Sequence, residues 1–352
     1  MIKFTLEPFD VLFFGSGKPF NMNVQETDSI FPPFPNTLAS SICGKIFSER
    51  NINVKEIIEK FYGPFLEKNN ELLLPKPLDI LIEKKVKDGK INQVILKNKF
   101  KLINPSHTDG NLKSLLWEMK KNGDFETFEG FIKLNGLKKW LDNEEINEND
   151  IIHKKDILDF EPRIGIKMDY SKNVTEDEDA LYRINYVRLK KEVKIIFFIK
   201  FNLQNEELKK SQLNDEQKIF EFFKNSKNKV LKLGGEMRNV RYECEEKNFE
   251  DVLDFNKPDL ENDDIIKILY LTPGFFNNEN FYETLTGAIK IINIGMHTKN
   301  YGIKTKKSIK EGSVIYAKVK DKTKLQNIWL NPKDKDFIGS NLRIYTKTLI
   351  GR

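Results

Sequence analysis

Between Phe9 and Phe47 the chain reads FDVLFFGSGKPFNMNVQETDSIFPPFPNTLASSICGKIF, and this stretch restricts the fold more than any other. The opening IKFTLEPFDVLFF has the apolar density of a strand entering a core. Gly15-Ser16-Gly17 turns the chain, a polar loop follows, and Phe31-Pro32-Pro33-Phe34-Pro35 closes it. Asn36 or Thr37 is placed to cap a helix whose Leu38, Ile42 and Ile46 form one apolar face with Ala39, Cys43 and Phe47. Pro35 sits just before that cap, where its missing N–H does no harm. The helix's first N–H groups and its dipole then face the loop, and such an end can hold a phosphate. Any β-loop-α unit has this outline, however, and most bind nothing.

Downstream, Val54–Tyr62 reads as a second short helix ended by Gly63-Pro64, and Leu72–Leu74 as an extended segment before Pro75 and Pro77. Ile80–Val86 and Ile91–Leu96 flank Asp88-Gly89, the pattern of two strands around a tight turn. From Lys99 to Asp150 the sequence is weakly periodic, with Leu115, Leu116 and Met119 at helical spacing and a charged run, LDNEEINEND, at its end. Such runs are usually solvated faces, so residues around 50–185 read as a large insertion. Val193–Phe201 is apolar on both faces at its centre and reads as a buried strand, with Asn185–Leu189 as its antiparallel partner. Asp215–Lys224 is a helix with an acidic first turn, and Val230–Leu233 leads into Gly234-Gly235.

That order, β-α-insertion-β-β-α-β, is the split βαβ order of a ferredoxin-like or RRM-like domain. A second set of strands follows at Ile266–Leu271, Ala288–Ile294, Ser313–Val319 and Leu342–Ile350. The fold class expected is α+β, with two ferredoxin-like domains at 1–246 and 247–352. No repeat of solenoid length and no RNP-type aromatic signature is present, so base stacking on an open sheet is not supported.

The formal charge of +6 is unevenly spread. From Gly287 to Arg352 there are 15 Lys/Arg against 4 Asp/Glu, a net of +11, which leaves −5 on the other 286 residues. A basic C-terminal part on a mildly acidic chain points to a polyanion-facing surface. The plainer explanation, a general richness in lysine, accounts for the lysines but less readily for the scarcity of acids. Two cysteines, Cys43 and Cys244, define no disulfide framework, and no apolar run reaches membrane-helix length. The N-terminus has no signal-peptide layout, and a reducing cytoplasm is expected.

Catalytic motifs are sparse. The three histidines are His107, His153 and His297, and of these His297, beside Gly295 and a basic segment, is the best candidate for acid-base work on a phosphodiester. No Cys/His cluster has zinc spacing, and neither a Walker loop nor a Ser-His-Asp layout is legible. No metal and no cofactor are expected. The glycines at 234 and 235 allow positive φ and let backbone N–H groups face an anion, with Arg238 downstream, and Arg163 stands beside Gly165, where backbone can approach a ligand.

Taken together, Gly15, Lys18, Pro19 and Phe20, then Ile30-Phe31-Pro32 and Phe34-Pro35, then Thr37-Leu38-Ala39, Ile42 and Gly44, resemble the Cas5-like RAMP subunit of type III-B CRISPR effector complexes, the third subunit of the Cmr complex. Arg163-Ile164-Gly165-Ile166 with Leu181-Tyr182 and Arg188, the run Leu233-Gly234-Gly235-Glu236 with Arg238, the run Tyr270–Phe276 and Gly312–Val319 extend the resemblance over most of the chain. There are departures. Lys18 replaces an arginine common in the family, the tryptophan expected near Gly295 is absent, and Gly339 stands in for a fuller glycine loop. The resemblance implies a non-catalytic subunit that holds the 5′ tag of the crRNA and docks the large polymerase-like subunit and a backbone RAMP subunit. Target RNA is met indirectly and no membrane is involved. RNA contacts are then expected at Lys18, Phe20, Asn21, Arg163, Gly234, Gly235, Arg238, Lys304, Lys306 and Lys307. Two other readings stay open: a metal-independent RAMP-class ribonuclease processing repeat RNA through His297, and a protein scaffold that barely touches RNA.

Overall fold

The structure is a computed structural model. It describes residues 1–15, 26–87, 90–97, 101–103, 115–117, 124–126, 128–166, 168–169, 174–175, 181–236, 238–275, 279–298, 302–332 and 337–348. At 26, 82–126, 166–175 and 295–305 only the backbone is described. Lys18, Phe20 and Asn21 therefore lie outside the described residues, as does His107.

In chain order the first elements are β1 (Ile2–Pro8), β2 (Glu26–Asp28), α1 (Pro35–Arg50), β3 (Ile58–Lys68) and β4 (Glu71–Pro75). Five short strands follow, β5 (Leu81–Lys87), β6 (Lys90–Lys97), β7 (Lys101–Ile103), β8 (Leu115–Trp117) and β9 (Asp124–Glu126). Then come β10 (Gly130–Lys133), α2 (Leu134–Leu141), β11 (Ile151–His153), β12 (Leu158–Ile166), β13 (Met168–Asp169), β14 (Val174–Thr175), β15 (Leu181–Leu189) and β16 (Val193–Phe201). The next elements are α3 (Glu206–Lys210), α4 (Glu216–Lys224), β17 (Val230–Lys232), β18 (Asn239–Glu246) and α5 (Phe249–Leu253). The C-terminal part is β19 (Ile265–Tyr270), β20 (Tyr282–Ala288), β21 (Ile291–Thr298), β22 (Gly302–Ile309), β23 (Val314–Val319), α6 (Lys322–Leu325) and β24 (Arg343–Lys347).

An eight-stranded sheet runs in the order β11-β10-β4-β3-β16-β1-β18-β17. Within it the four strands β3-β16-β1-β18 are antiparallel throughout. The C-terminal sheet runs β20-β23-β19-β24 and is also antiparallel. Within each set of four, the strands stand second, third, first and fourth in space when counted along the chain. The chain is thus α+β, with mostly antiparallel sheets.

Alternation in β16 explains why its sequence is apolar on both faces. Ile195, Phe197, Ile199 and Phe201 enter one core with Leu38, Ile42 and Ile46 of α1 and Ile219 and Phe223 of α4. Ile196 and Phe198 point the other way, into a second core with Trp140 of α2, Phe249 of α5 and Leu269, Val314, Tyr316 and Ile344 of the C-terminal sheet. The two sheets are therefore joined through one shared apolar layer. The far face of the C-terminal sheet packs Ile268, Ile315 and Tyr345 against Leu325 and Ile328.

Four local expectations are corrected. Val54–Tyr62 is not a helix: Ile58 begins β3, whose Phe61 and Tyr62 fill the two cores in turn. Gly63-Pro64 does not end it but lies within the strand opposite a register shift in β16, where Gly63 has φ +115 and a Cβ would press on Ile196 O and Phe197. Asn185–Leu189 does not pair with β16, because β1 and β3 already fill both of that strand's ladders. It belongs instead to β15, which pairs antiparallel with β12 and parallel with β2. The helical spacing at Leu115 and Leu116 resolves as strand β8 paired with β7, and Ala288–Ile294 divides into the end of β20 and the start of β21. By contrast the two strands expected around Asp88-Gly89 pair as β5 and β6, those two residues themselves lying outside the described ones, and the expected helix is α4, with Asp215 accepting from Lys218 N at 2.7 Å as its cap.

Candidate nucleic-acid interface

The helix start at Phe34-Pro35 is the first candidate to test. α1 begins at Pro35, with Phe34 as an extended N-cap residue and no side-chain cap, so neither Asn36 nor Thr37 caps it. Thr37 N donates to Phe34 O at 2.9 Å instead. Phe34 packs on Phe275, Ile294 and Phe337, and a Cβ on Gly339 would press on Pro35 and Phe61. The helix end thus meets the C-terminal part of the chain rather than an open loop. Gly339 (φ +76) is a packing turn there, its carbonyl accepting from Thr272 Oγ1 at 2.7 Å.

The stronger site lies where the chain leaves β1. Leu12 exchanges backbone hydrogen bonds with Val187 of β15 at 2.8 Å in both directions. Ser29 Oγ accepts from Phe14 N at 2.8 Å, and Gly15 bridges Ser29. The loop that carries Lys18, Phe20 and Asn21 in sequence therefore departs and returns at one point. Gly235 N donates to Phe13 O at 2.9 Å, bringing the Gly-Gly turn to the same point. Gly234 has φ +79, and a Cβ there would collide with the Phe13 carbonyl, so this turn requires glycine.

Three arginines converge beside it. Arg163 and Arg188 each place Nη2 on Asp10, at 3.0 and 2.9 Å, and Arg238 Nη1 lies 3.6 Å from it. Arg163 and Arg188 also share Glu161, at 2.8 and 2.5 Å. Period-two alternation sets this up: Glu161 and Arg163 on β12 face the same side as Tyr186 and Arg188 on β15, with Glu161 opposite Tyr186 in register. Tyr186 sits between two cations, 5.5 Å from Arg163 and 4.6 Å from Arg238. Val11, Ile184 and Tyr186 form a small buried cluster beneath. Burial pushes the Asp10 carboxyl up, but hydrogen bonds from Arg163 and Arg188 outweigh it and hold it below the ordinary range. Hydrogen bonds from Arg188, then Arg163, hold Glu161 low as well. Three guanidinium forks against two carboxylates leave surplus positive charge, and Arg238 Nε is buried without a hydrogen-bond partner among the described residues. Forks next to an aromatic ring suit phosphate oxygens and unstacked bases.

Sequence reasoning singled out Arg163, Gly234, Gly235 and Arg238, and the structure brings all four together. It missed Asp10, Glu161, Tyr186 and Arg188 as members of the site. Their signal was available in the alternation of β12 and β15, but only once those two strands are paired with each other.

The lysines of the basic segment stand elsewhere, on the β21–β22 hairpin. Lys306 Nζ lies 4.1 Å from the Phe275 ring and Lys307 is exposed; Lys304 is described in its backbone only. The Arg group and these lysines do not form one cluster. His297 is likewise given by backbone alone, in β21, and His153 packs on Phe128 with ring centroids 4.7 Å apart. Among the described residues no three His, Cys, Asp or Glu side chains gather closely enough to hold a metal ion, and no helix is long and apolar enough to cross a membrane.

Comparison with known proteins gives two findings. Residues 4–348 match the family model of the CRISPR-associated protein Cas_Cmr3. Among solved structures, the fold is similar to a chain in the cryo-EM structure of the type III-B Cmr-beta complex bound to cognate target RNA and AMPPnP, with 19% identity and a TM-score of 0.52. It is similar also to a chain of the same complex bound to cognate target RNA, with 18% identity and a TM-score of 0.51. In both cases 89% of this chain and 86% of the other are covered. No curated protein matches.

Proposed function

This chain belongs to the Cas_Cmr3 family of CRISPR-associated proteins, RAMP-type subunits of type III effector complexes, and from that premise we propose that it is the non-catalytic subunit that grips the 5′ tag of the crRNA. The observation that supports this reading best is the meeting of Arg163, Arg188, Arg238 and Tyr186 at the Gly234-Gly235 turn. Phosphate contacts position a nucleic acid, while pockets for splayed bases specify it. The arginine forks serve the first need and the Tyr186 surroundings the second. Lys18, Phe20 and Asn21 belong to the loop anchored at this point, and Lys304, Lys306 and Lys307 extend the surface along the C-terminal hairpin.

In this reading the chain divides into ferredoxin-like domains at 1–246 and 247–352, an interpretation favoured by the shared strand order of the two antiparallel sheets. Docking to the large polymerase-like subunit and to a backbone RAMP subunit belongs to the same proposal, with target RNA met through the crRNA.

The experiment is crRNA capture by the assembled complex. Arg163→Ala with Arg238→Ala should lower crRNA retention and flatten the salt dependence of binding, because fewer phosphate charges are neutralised. Full retention with an unchanged salt slope removes the arginine site from the proposal. The ribonuclease alternative is met in the same preparation: repeat RNA left intact by the wild type ends it.

A further inference from the structure

A second cationic crevice lies between the two sheets, apart from the arginine site, and none of its residues figures among the RNA contacts expected from sequence. Phe31, Pro32 and Pro75 line its walls. Glu129, which follows the β5–β9 strands, reaches into it. Lys154 Nζ meets Glu129 Oε2 at 2.7 Å, and Lys290 and Lys310 meet Oε1 at 3.2 and 3.6 Å. Lys76 stands behind them, 3% exposed, with its ammonium 4.5 Å from the Phe128 ring and hydrogen-bonded to the Pro77 and Ile80 carbonyls at 3.1 and 2.9 Å. Three ammonium groups thus face Glu129, while Lys76 has Asp79 as its charged neighbour, and burial pushes the nearby Glu311 toward its neutral form.

The crevice borders the C-terminal hairpin and the face of β12 opposite the arginines. Lys154 lies 5.3 Å from the ring of Phe160 on β12, the strand that carries Glu161 and Arg163. Lys290 and Lys310 are the residues on either side of the β21–β22 hairpin, tied by Lys310 N to Lys290 O at 2.8 Å, and that hairpin carries Lys306 and Lys307.

We propose that the crevice is a phosphate subsite which Glu129 fills as an internal anion in the free protein, and that a phosphate of bound RNA displaces the carboxylate. The proposal rests on the RNA-binding reading above. It has a signature opposite to that of a simple structural clasp. Removing an internal competitor strengthens binding, whereas removing a clasp weakens it or leaves it unchanged.

The test is fluorescence anisotropy of a labelled single-stranded RNA titrated with the full chain at several salt concentrations. Glu129→Gln should bind severalfold tighter than wild type with the slope of log K against log salt unchanged, because the same phosphates are neutralised in both proteins. Lys290→Glu with Lys310→Glu should bind severalfold weaker. Equal or weaker binding by Glu129→Gln overturns the proposal. Should that variant fail to fold, amine acylation of wild type read by mass spectrometry decides. RNA should protect Lys154, Lys290 and Lys310, and absence of protection overturns the proposal. If wild type binds no RNA at all, the reading of the preceding subsection fails, and inorganic tripolyphosphate becomes the acylation probe. Protection then keeps the subsite for a free phosphate compound, and no protection removes it.

Discussion

Arg238 lies over Tyr186, with its guanidinium carbon 4.6 Å from the ring centroid. One residue comes from the end of the Gly-Gly turn and the other from the middle of β15, so the contact ties the turn to the hairpin. A lysine would keep the charge but lose both the stacking plane and the fork. Arg238→Lys should therefore weaken RNA binding while leaving the salt slope as it is, and Arg238→Ala should lower both. Equal affinity for the lysine variant would reduce this residue to a point charge.

Gly234 stands against the Phe13 carbonyl at φ +79. Gly234→Ala adds a left-handed penalty of about 1–2 kcal/mol and a collision with backbone that cannot swing aside. Urea unfolding should show a loss of at least that size. RNA affinity should fall too, since the turn and Arg238 shift together. A variant as stable as wild type would mean that the Phe13 segment gives way freely.

Arg343 is buried in β24, and Glu279 holds its two terminal nitrogens at 2.6 and 2.9 Å. Truncating Glu279 to alanine strands a guanidinium beside Tyr270, with Arg343 Nε already lacking a partner among the described residues. The expected cost is about 3–5 kcal/mol. The double variant Glu279→Leu/Arg343→Met should recover most of it, because replacing both charges by apolar groups leaves none unpaired. Thermal melts of the three proteins decide the matter.

Acid should loosen the Glu129 contacts in a defined window. The hydrogen bond from Lys154, assisted by the charges of Lys310 and Lys154, draws the Glu129 carboxyl down from 4.5 to about 2. Across that interval the folded state binds fewer protons than the unfolded one, so stability falls as pH falls. The contribution is whole above the unfolded value and vanishes below the folded one. The difference in urea midpoint between wild type and Glu129→Gln should shrink over this window. Because the carboxylate is half-exposed, screening keeps the effect small. A difference that does not change with pH would show that the lysines do not hold the charged form.

A further buried group shows what the two sheets depend on. Asp79 accepts from Trp140 Nε1 at 3.0 Å and from Tyr316 OH at 2.9 Å. Lys267 Nζ donates to Trp140 O at 2.7 Å and lies 4.0 Å from that ring. Burial pushes Asp79 up and Lys267 down, to about 8. Asp79→Ala leaves two buried donors unpaired, at about 1–3 kcal/mol each, and loosens α2 from β23. A calorimetric transition that stays single and unshifted would contradict that role.

Much of this was legible in the sequence, and the misses have common causes. Strands apolar on both faces, the helix after Asp215 with its acidic first turn and the two strands flanking Asp88-Gly89 are local patterns, and each matches the structure. Val54–Tyr62 carries no clean strand period, because a strand that feeds two cores alternately, with a bulge at Gly63, has none. Asn185–Leu189 was paired with its neighbour in sequence, whereas β16 spends both ladders on β1 and β3.

The class of fold, the glycine turn, the basic bias of the C-terminal part and the family are legible along the chain, because these reside in local periodicity, special φ values, charge counts and motifs. Which charges meet is set by how the strands pair in space. Asp10, Glu161, Arg163, Arg188 and Arg238 come from four separate stretches of chain, as do Glu129, Lys154, Lys290 and Lys310. An electrostatic site falls off with distance in space, and no spacing along the chain encodes that distance until the strands are paired.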